Sequence, residues 1–81
     1  MRSASVEDYA KAIYALEEQR GLASTTALAE RLEVSAPAVS SMSKKLAADG
    51  LVEHVPYRGV RLTASGRRFA LEVVRRGIPF Q

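Results

Sequence analysis

Residues 25–50 have the sequence TTALAERLEVSAPAVSSMSKKLAADG, and this stretch decides the fold. Apolar residues recur in it at helical spacing in two runs, separated by a break at Glu33 and Val34. The runs are Leu28, Ala29 and Leu32, followed by Val39, Met42 and Leu46. Because the first run is too short to form a stable helix alone, we expect the two helices to cross at a tight turn and share one core.

Polar residues at the ends of the two runs predict where the helices begin and end. Either Thr25 or Thr26 can cap the first helix, and Ser35 can cap the second. Asp49 and Gly50 end the second helix, with Gly50 as the expected left-handed residue. The two helices are therefore each bounded by residues that suit a helix terminus.

The flanking sequence predicts one helix upstream, then a hairpin and a last helix downstream. Ser5 is a good N-cap, and Gly21 is a C-terminal stop. Residues 51–55 and 60–62 are typical of two strands, joined by the turn-forming sequence Pro-Tyr-Arg-Gly. Thr63 then caps the last helix. An isolated hairpin is marginally stable in water, so we expect it to pack on the helices.

The order helix, helix, helix, strand, strand, helix predicts a mainly α fold with a small β-hairpin, the winged helix-turn-helix. In this fold the second helix of the helix-turn-helix, here residues 35–50, is the recognition helix, and residues 51–63 form the wing. One expected feature is missing, because the turn of such motifs often holds Gly where this chain has Glu33.

The composition bounds what the chain can do. With 81 residues, 47% of them apolar and 26% charged, the chain has room for one small domain. It has no Cys and a single His, which excludes thiol chemistry and zinc thiolate sites and nearly excludes a Ser-His-Asp hydrolase. We therefore predict that it is not an enzyme. No apolar run is long enough for a membrane span, and the default compartment is cytoplasmic.

The charge is distributed unevenly along the chain. The net charge is +3, but residues 1–40 carry −2 and residues 41–81 carry +5. The second half contains most of the recognition helix and all of the wing. This asymmetry favours nucleic acid or another polyanion as the partner of that half.

The start of the recognition helix carries the candidate base contacts, which are Ser35, Pro37, Ala38 and Ser41. These side chains are small, and none can make the bidentate contacts by which Arg selects guanine or Asn selects adenine. We therefore expect a helix that enters the major groove of double-stranded DNA closely and selects sequence modestly, with its affinity drawn mainly from phosphates.

The candidate phosphate contacts are basic residues further along the helix and in the wing. They are Lys44, Lys45, Arg58 and Arg61. Each alone is compatible with a solvated surface charge, but their clustering favours phosphate binding. The arginines of the last helix are interpreted instead as a solvated polar face.

Three motifs in the chain resemble the N-terminal domain of the iron-dependent repressor family, the family of the diphtheria toxin repressor and the manganese transport regulator. They are LAERLEVS-x-P-x-VS at residues 28–40, KKLAADGLV at residues 44–52 and YRG-x-x-LT-x-x-G at residues 57–66. The resemblance implies a cytoplasmic transcriptional repressor that binds a palindromic operator as a homodimer. It also implies that Ser35, Pro37, Ala38 and Ser41 lie where the family contacts bases.

The metal sites that the resemblance implies are poorly matched. Full-length relatives bind Mn²⁺ or Fe²⁺, and Asp8 occupies a ligand position, but Lys11 and Gly77 stand where the family has Glu and His. Further ligands come from a dimerisation domain. We therefore expect no cofactor for this chain alone and interpret Asp8 as a residue that favours the helix N-terminus. Residues 1–76 form the expected domain, and residues 77–81 form a divergent tail without a dimerisation domain.

If the chain binds DNA, two origins remain open: it is either the DNA-binding part of a longer metal sensor or a short DNA-binding relative that has lost metal sensing. A different function also remains open, that of a winged-helix protein-interaction module, because fold does not fix function. Its contact surface would include Tyr9 and Tyr14 on the first helix, or Phe69 and Phe80 near the end of the chain.

Overall fold

The computed structural model describes residues 4–77, which form four helices and a two-stranded hairpin. This confirms the predicted winged helix-turn-helix and the predicted element order. None of the helices in these residues is long and apolar enough to cross a membrane. The elements are α1 (Val6–Arg20), α2 (Thr25–Leu32), α3 (Ala36–Ala48), β1 (Val52–Val55), β2 (Gly59–Leu62) and α4 (Ala64–Gly77).

Of the predicted tail, Gly77 is described as the last residue of α4. Residues 78–81, with Phe80 among them, lie outside the described part of the chain. The boundary placed after residue 76 therefore stays a prediction.

Residues with hydroxyl side chains cap the N-termini of the helices, as the sequence pattern indicates. Ser5 caps α1, and its hydroxyl accepts a hydrogen bond of 3.1 Å from the backbone N–H of Asp8. Ser35 caps α3 in the same way. The prediction for α2 was wrong by one residue, because Ser24 is the cap and accepts a hydrogen bond from Ala27. Thr25 and Thr26 instead lie in the first turn of α2. The sequence could not distinguish them from Ser24, because any of the three consecutive hydroxyl residues could serve as a cap.

The core lies where α1 packs against α4, α2 and β2, and where α2 packs against α3. Its most deeply buried large side chains come from three helices: Ile13, Leu28, Val39 and Leu46. The last three belong to the apolar runs on either side of the turn, so the helix-turn-helix supplies much of the core. Burial of each such side chain contributes roughly 1.5–3 kcal/mol to stability.

The turn between α2 and α3 keeps its expected backbone shape without glycine. Glu33 adopts a left-handed conformation with φ 58° and ψ 45°, and its N–H donates to the carbonyl oxygen of Ala29. For a residue with a Cβ atom, this conformation costs about 1–2 kcal/mol because the Cβ atom lies close to the following carbonyl oxygen. The packing of α2 against α3 therefore holds Glu33 where Gly would be more favourable.

The wing packs on the helices through the buried side chains of Val52, Val60 and Leu62, and hydrogen bonds along the outer edge of β2 add a second attachment. β1 and β2 pair in antiparallel register, with Val52 opposite Leu62 and His54 opposite Val60. On the other side of β2, Ala23 exchanges two backbone hydrogen bonds of 3.0 and 2.9 Å with Val60. Ala23, in the segment between α1 and α2, thus forms an isolated antiparallel bridge with the free edge of β2.

Gly59 is required for this attachment. Its φ is 144°, and a Cβ atom at this position would overlap the carbonyl oxygen of Ala23. Only a residue without a side chain lets the hairpin approach the α1–α2 segment so closely.

Candidate nucleic-acid interface

The outward face of α3 is built from small and basic residues. Pro37, Ser41, Lys44 and Ala48 are all exposed, and their spacing of three or four residues places them along one face of the helix. Val39 and Leu46 lie on the opposite face and are buried. The 13 residues of α3 extend about 20 Å, at roughly 1.5 Å per residue. Apart from Lys44, the exposed residues named on this face have small side chains.

The four predicted base-contact residues occupy different positions on this helix. Pro37 and Ser41 are exposed on the outward face, whereas Ala38 is half-buried at its side. The hydroxyl oxygen of Ser35 accepts the N–H of Ala38 at 3.2 Å, so it serves the N-cap. Of the four, Pro37 and Ser41 are the two that lie on the exposed outward face of α3.

A groove of about 510 Å³ separates α3 from the wing and from the start of α2. Lys44 lines it from the helix side, and Arg58 lines it from the wing. Hydroxyl groups and one imidazole complete its polar lining. The other lining residues are Ser24, Thr25, Thr26, Ser40, Ser43, His54, Val55, Pro56, Tyr57, Gly59 and Val60.

Only two of the four predicted phosphate-binding residues line this groove. Lys44 and Arg58 come together in it, whereas Lys45 is exposed on α3 outside it. Arg61 lies on the solvent face of the hairpin, where it pairs with Glu53 across the strands at 3.2 Å. Because both partners are about half exposed, with 51% and 56% of the side chains accessible, this pair contributes little to stability.

Sequence reasoning missed His54 as a residue of the groove. It is exposed and lines the groove beside the wing. It pairs with the buried Val60, so the two share the face of the hairpin that is turned toward the helices. The alternation of side chains along β1 would have placed His54 on this face, had the register been known.

The tip of the wing carries a fully exposed aromatic side chain. Tyr57 is 107% exposed relative to its reference and has a left-handed backbone with φ 66°. The neighbouring N–H of Arg58 donates to the carbonyl oxygen of Val55 at 3.0 Å, which closes the turn. Tyr57 contributes nothing to the core, so an apolar surface and a guanidinium group project together from the wing.

The described residues do not fit the metal site that the family resemblance implies. One carboxylate oxygen of Asp8 accepts the backbone N–H of Ser5 at 3.1 Å, which completes a capping box. Lys11, one turn further along α1, is an exposed cation rather than a ligand. Within residues 4–77, no three His, Asp or Glu side chains lie close enough together to hold a metal ion. In this structure Asp8 takes part in the capping box at the N-terminus of α1.

The surface expected for a protein-interaction module is mostly absent from the described residues. Tyr9 is buried, with 2% of its surface exposed, and this burial raises the pKa of its hydroxyl. Tyr14 and Phe69 are half-buried and pack against the core. The expectation that Tyr9 presents an exposed face was wrong, because its side chain is buried in the core, whereas Tyr14 is partly exposed.

The fold and the groove together define a winged helix-turn-helix DNA-binding domain. The sequence profile of "Iron dependent repressor, N-terminal DNA binding domain" matches residues 1–60. The chain therefore belongs to the iron-dependent repressor family and carries the family's DNA-binding domain.

Individual relatives agree with this assignment. The chain is 45% identical over 67 residues to "Transcriptional regulator MntR" of Escherichia coli O6:H1. This alignment covers 83% of the chain and 43% of that relative. It is 39% identical over 72 residues to "Diphtheria toxin repressor" of Corynebacterium glutamicum, which covers 89% of the chain and 32% of that relative. The chain thus spans between about a third and a half of these curated relatives.

A solved structure is similar in both fold and sequence. "Structure of the manganese regulator SloR" superposes with a TM-score of 0.77 at 40% sequence identity. The similarity covers 91% of this chain and 34% of the other. The likeness therefore extends over almost the whole of this chain and about a third of the regulator.

Proposed function

We propose that this chain binds double-stranded DNA as the operator-binding part of a transcriptional repressor. In this proposal α3 enters the major groove, with Pro37 and Ser41 against base edges. The wing lies on the adjacent backbone. The observation that carries the proposal is the groove in which Lys44 of α3 and Arg58 of the wing face a common space.

The chemistry of the groove suits a phosphate of the DNA backbone. A helix seated in the major groove has phosphate-bearing strands on both sides, so a cation beside the helix meets a phosphate. Lys44 supplies a mobile ammonium group and Arg58 a planar guanidinium that can donate two parallel hydrogen bonds. Hydroxyl groups such as those of Thr25 and Thr26 add neutral donors. We expect this groove to supply affinity and the exposed face of α3 to supply sequence preference.

We also propose the wider setting that the family supports. The protein would act in the cytoplasm, without catalytic activity, as a homodimer on a palindromic site. Two recognition helices related by a two-fold axis would then contact half-sites about one helical turn of DNA apart. Membership of a repressor family whose relatives are named transcriptional regulators supports this setting.

The salt dependence of binding tests the proposal. A fluorescently labelled duplex of mixed sequence is titrated with the protein from about 50 to about 300 mM salt, and anisotropy gives the association constant. We expect the logarithm of this constant to fall linearly with the logarithm of salt concentration. Lys44→Ala and Arg58→Ala should each make the slope shallower by about 1. An association constant that does not change with salt would contradict the proposal.

A matched variant separates a local contact from general charge. Arg68→Ala removes the same unit of charge from α4, where Arg68 is exposed and lies outside the groove. Its slope should remain close to that of the unchanged protein. If Arg68→Ala and Lys44→Ala have equal effects, the groove is not the phosphate-binding site.

Sequence preference is measured separately, by selection from a pool of randomised duplexes. Pro37→Ala and Ser41→Ala should change which duplexes are enriched, whereas Lys44→Ala should weaken binding to all of them. Unchanged enrichment in both α3 variants would remove these residues from base contact.

A further inference from the structure

We propose that Glu17 is a positioning residue for the wing, and that its buried carboxylate holds the hairpin where Arg58 can reach DNA. The inference rests on the DNA binding proposed above. Glu17 does not line the groove, and its hydrogen-bond partner in β2, Leu62, is 45 positions away along the chain.

The carboxylate of Glu17 joins three elements. Glu17 lies in the last part of α1, where its polar neighbours Glu18 and Gln19 are exposed, yet its own side chain is only 5% exposed. One carboxylate oxygen accepts the backbone N–H of Leu62 in β2 at 2.5 Å. The other accepts from the guanidinium group of Arg67 in α4 at 3.0 Å. A single side chain thus links α1, the wing and α4.

The bond to Leu62 completes the outer edge of β2. In a two-stranded hairpin each strand has one edge without a strand partner, and residues two apart point their N–H groups to the same side. Val60 on this edge is paired with Ala23, and Leu62, two residues on, is paired with Glu17. The edge is therefore fixed at two points, Val60 and Leu62.

The pair with Arg67 explains why a carboxylate can occupy this place. A buried charge is costly unless it is paired and hydrogen-bonded, and Arg67 supplies the opposite charge from a half-exposed position. A buried ion pair is a weak source of stability, because desolvation offsets the attraction. Its hydrogen-bond geometry is nevertheless strict, so it restricts how β2 can lie against α1.

The orientation of β2 determines where the wing tip lies. Arg58 precedes β2 by one residue, and Lys44 faces it across the groove. If β2 turned about its attachment to Ala23, the distance between Arg58 and Lys44 would change. Two cations held at a fixed separation meet phosphates whose positions are set by the DNA duplex. Glu17 therefore acts on DNA binding through Arg58, without touching DNA itself.

A double-mutant cycle on the full chain tests this role. The association constant for the same labelled duplex is measured for Glu17→Ala, Arg58→Ala and the double variant. We expect Arg58→Ala alone to weaken binding about fivefold, and to have less than about a twofold effect when Glu17 is already Ala. Glu17→Ala should also make the salt slope shallower by about 1, which a merely structural loss would not do. Effects of Glu17→Ala and Arg58→Ala that simply multiply would overturn the inference.

Three further variants make the result specific. Lys44→Ala should retain its full effect in the Glu17→Ala background, because α3 does not depend on this carboxylate. Glu18→Ala changes the adjacent exposed carboxylate and should leave affinity and slope unchanged. Glu17→Gln keeps an acceptor for the Leu62 N–H and should recover most of the affinity.

Folding is monitored by circular dichroism in every variant. If Glu17→Ala does not fold, the same cycle is run with Glu17→Leu, whose apolar side chain fills the buried space but cannot accept the hydrogen bond. If the unchanged protein binds no duplex at low salt, the proposed function fails and the inference with it. If it binds and the two losses are independent, only the role of Glu17 is overturned.

Discussion

The helix-turn-helix and the wing both bury apolar side chains, but the wing is held in addition by directed hydrogen bonds. In the helix-turn-helix, Leu28, Val39 and Leu46 are each at most 2% exposed, and apolar burial fixes how α2 crosses α3. In the wing, the outer edge of β2 is fixed by backbone hydrogen bonds to Ala23 and by the carboxylate of Glu17. Apolar burial is non-directional, whereas a hydrogen bond demands a particular distance and angle.

The difference matters because the two regions lie on opposite sides of one groove. The recognition helix is expected to remain in place as long as the core is intact. The orientation of the wing is expected to depend on its edge hydrogen bonds as well as on the core. The comparison can therefore be tested by changing one region at a time and measuring both unfolding and DNA binding.

The largest effect is expected from the core of the helix-turn-helix. Leu46→Ala should lower the free energy of unfolding by about 2–5 kcal/mol, because it removes a buried side chain and leaves a cavity. Urea denaturation followed by circular dichroism measures the change. Leu71→Ala is the matched control, since Leu71 is 37% exposed on α4 and should cost less than about 1 kcal/mol. Equal losses in the two variants would contradict the burial argument.

A smaller effect on stability is expected where the wing is attached. Gly59→Ala places a Cβ atom against the carbonyl of Ala23 and should lower the free energy of unfolding by about 1–3 kcal/mol. It should also weaken DNA binding measured at a temperature where the protein remains folded. Gly21→Ala is the control, because Gly21 also has a positive φ, of 87°, but no atom lies within 4 Å of the added carbon. DNA affinity that falls equally in both variants would argue against a contact effect at Gly59.

The smallest effect is expected at the turn, and it has the opposite sign. Glu33→Gly should raise the free energy of unfolding by about 1 kcal/mol, because Gly adopts the left-handed conformation without a steric cost. Calorimetry should then show a melting temperature about 4–8 °C higher. Glu30→Gly, inside the neighbouring helix α2, should instead destabilise the protein by about 1 kcal/mol. A loss of stability in Glu33→Gly would contradict the argument that the left-handed conformation is costly for Glu33.

Local sequence patterns predicted most of the fold, but they were less precise about the site. The periodicity of apolar residues predicted the helices, and Ser5, Ser35 and Thr63 were correctly expected to cap three of them. For α2, Ser24 competes with two adjacent threonines, and sequence alone cannot select among three similar caps. Pairing of Arg61 with Glu53 was also not predicted, since it depends on the register of the hairpin.

The role of Glu17 could not be predicted from its neighbours. It belongs to a polar stretch at the end of α1, where a solvated side chain is the ordinary expectation. Its burial depends on Leu62 and Arg67, which are 45 and 50 residues away along the chain. Contacts across such separations arise only when the helices and the hairpin pack together.

The sequence by itself determined the elements, their order and the basic character of the second half. These follow from spacing, capping residues and charge, which act over a few neighbouring positions. Only the tertiary structure decided that Lys44 and Arg58 face one groove, that His54 joins them, and that Glu17 fixes the wing. The physical reason is that a groove and an edge contact are formed by residues distant in sequence, whose meeting depends on how the whole core packs.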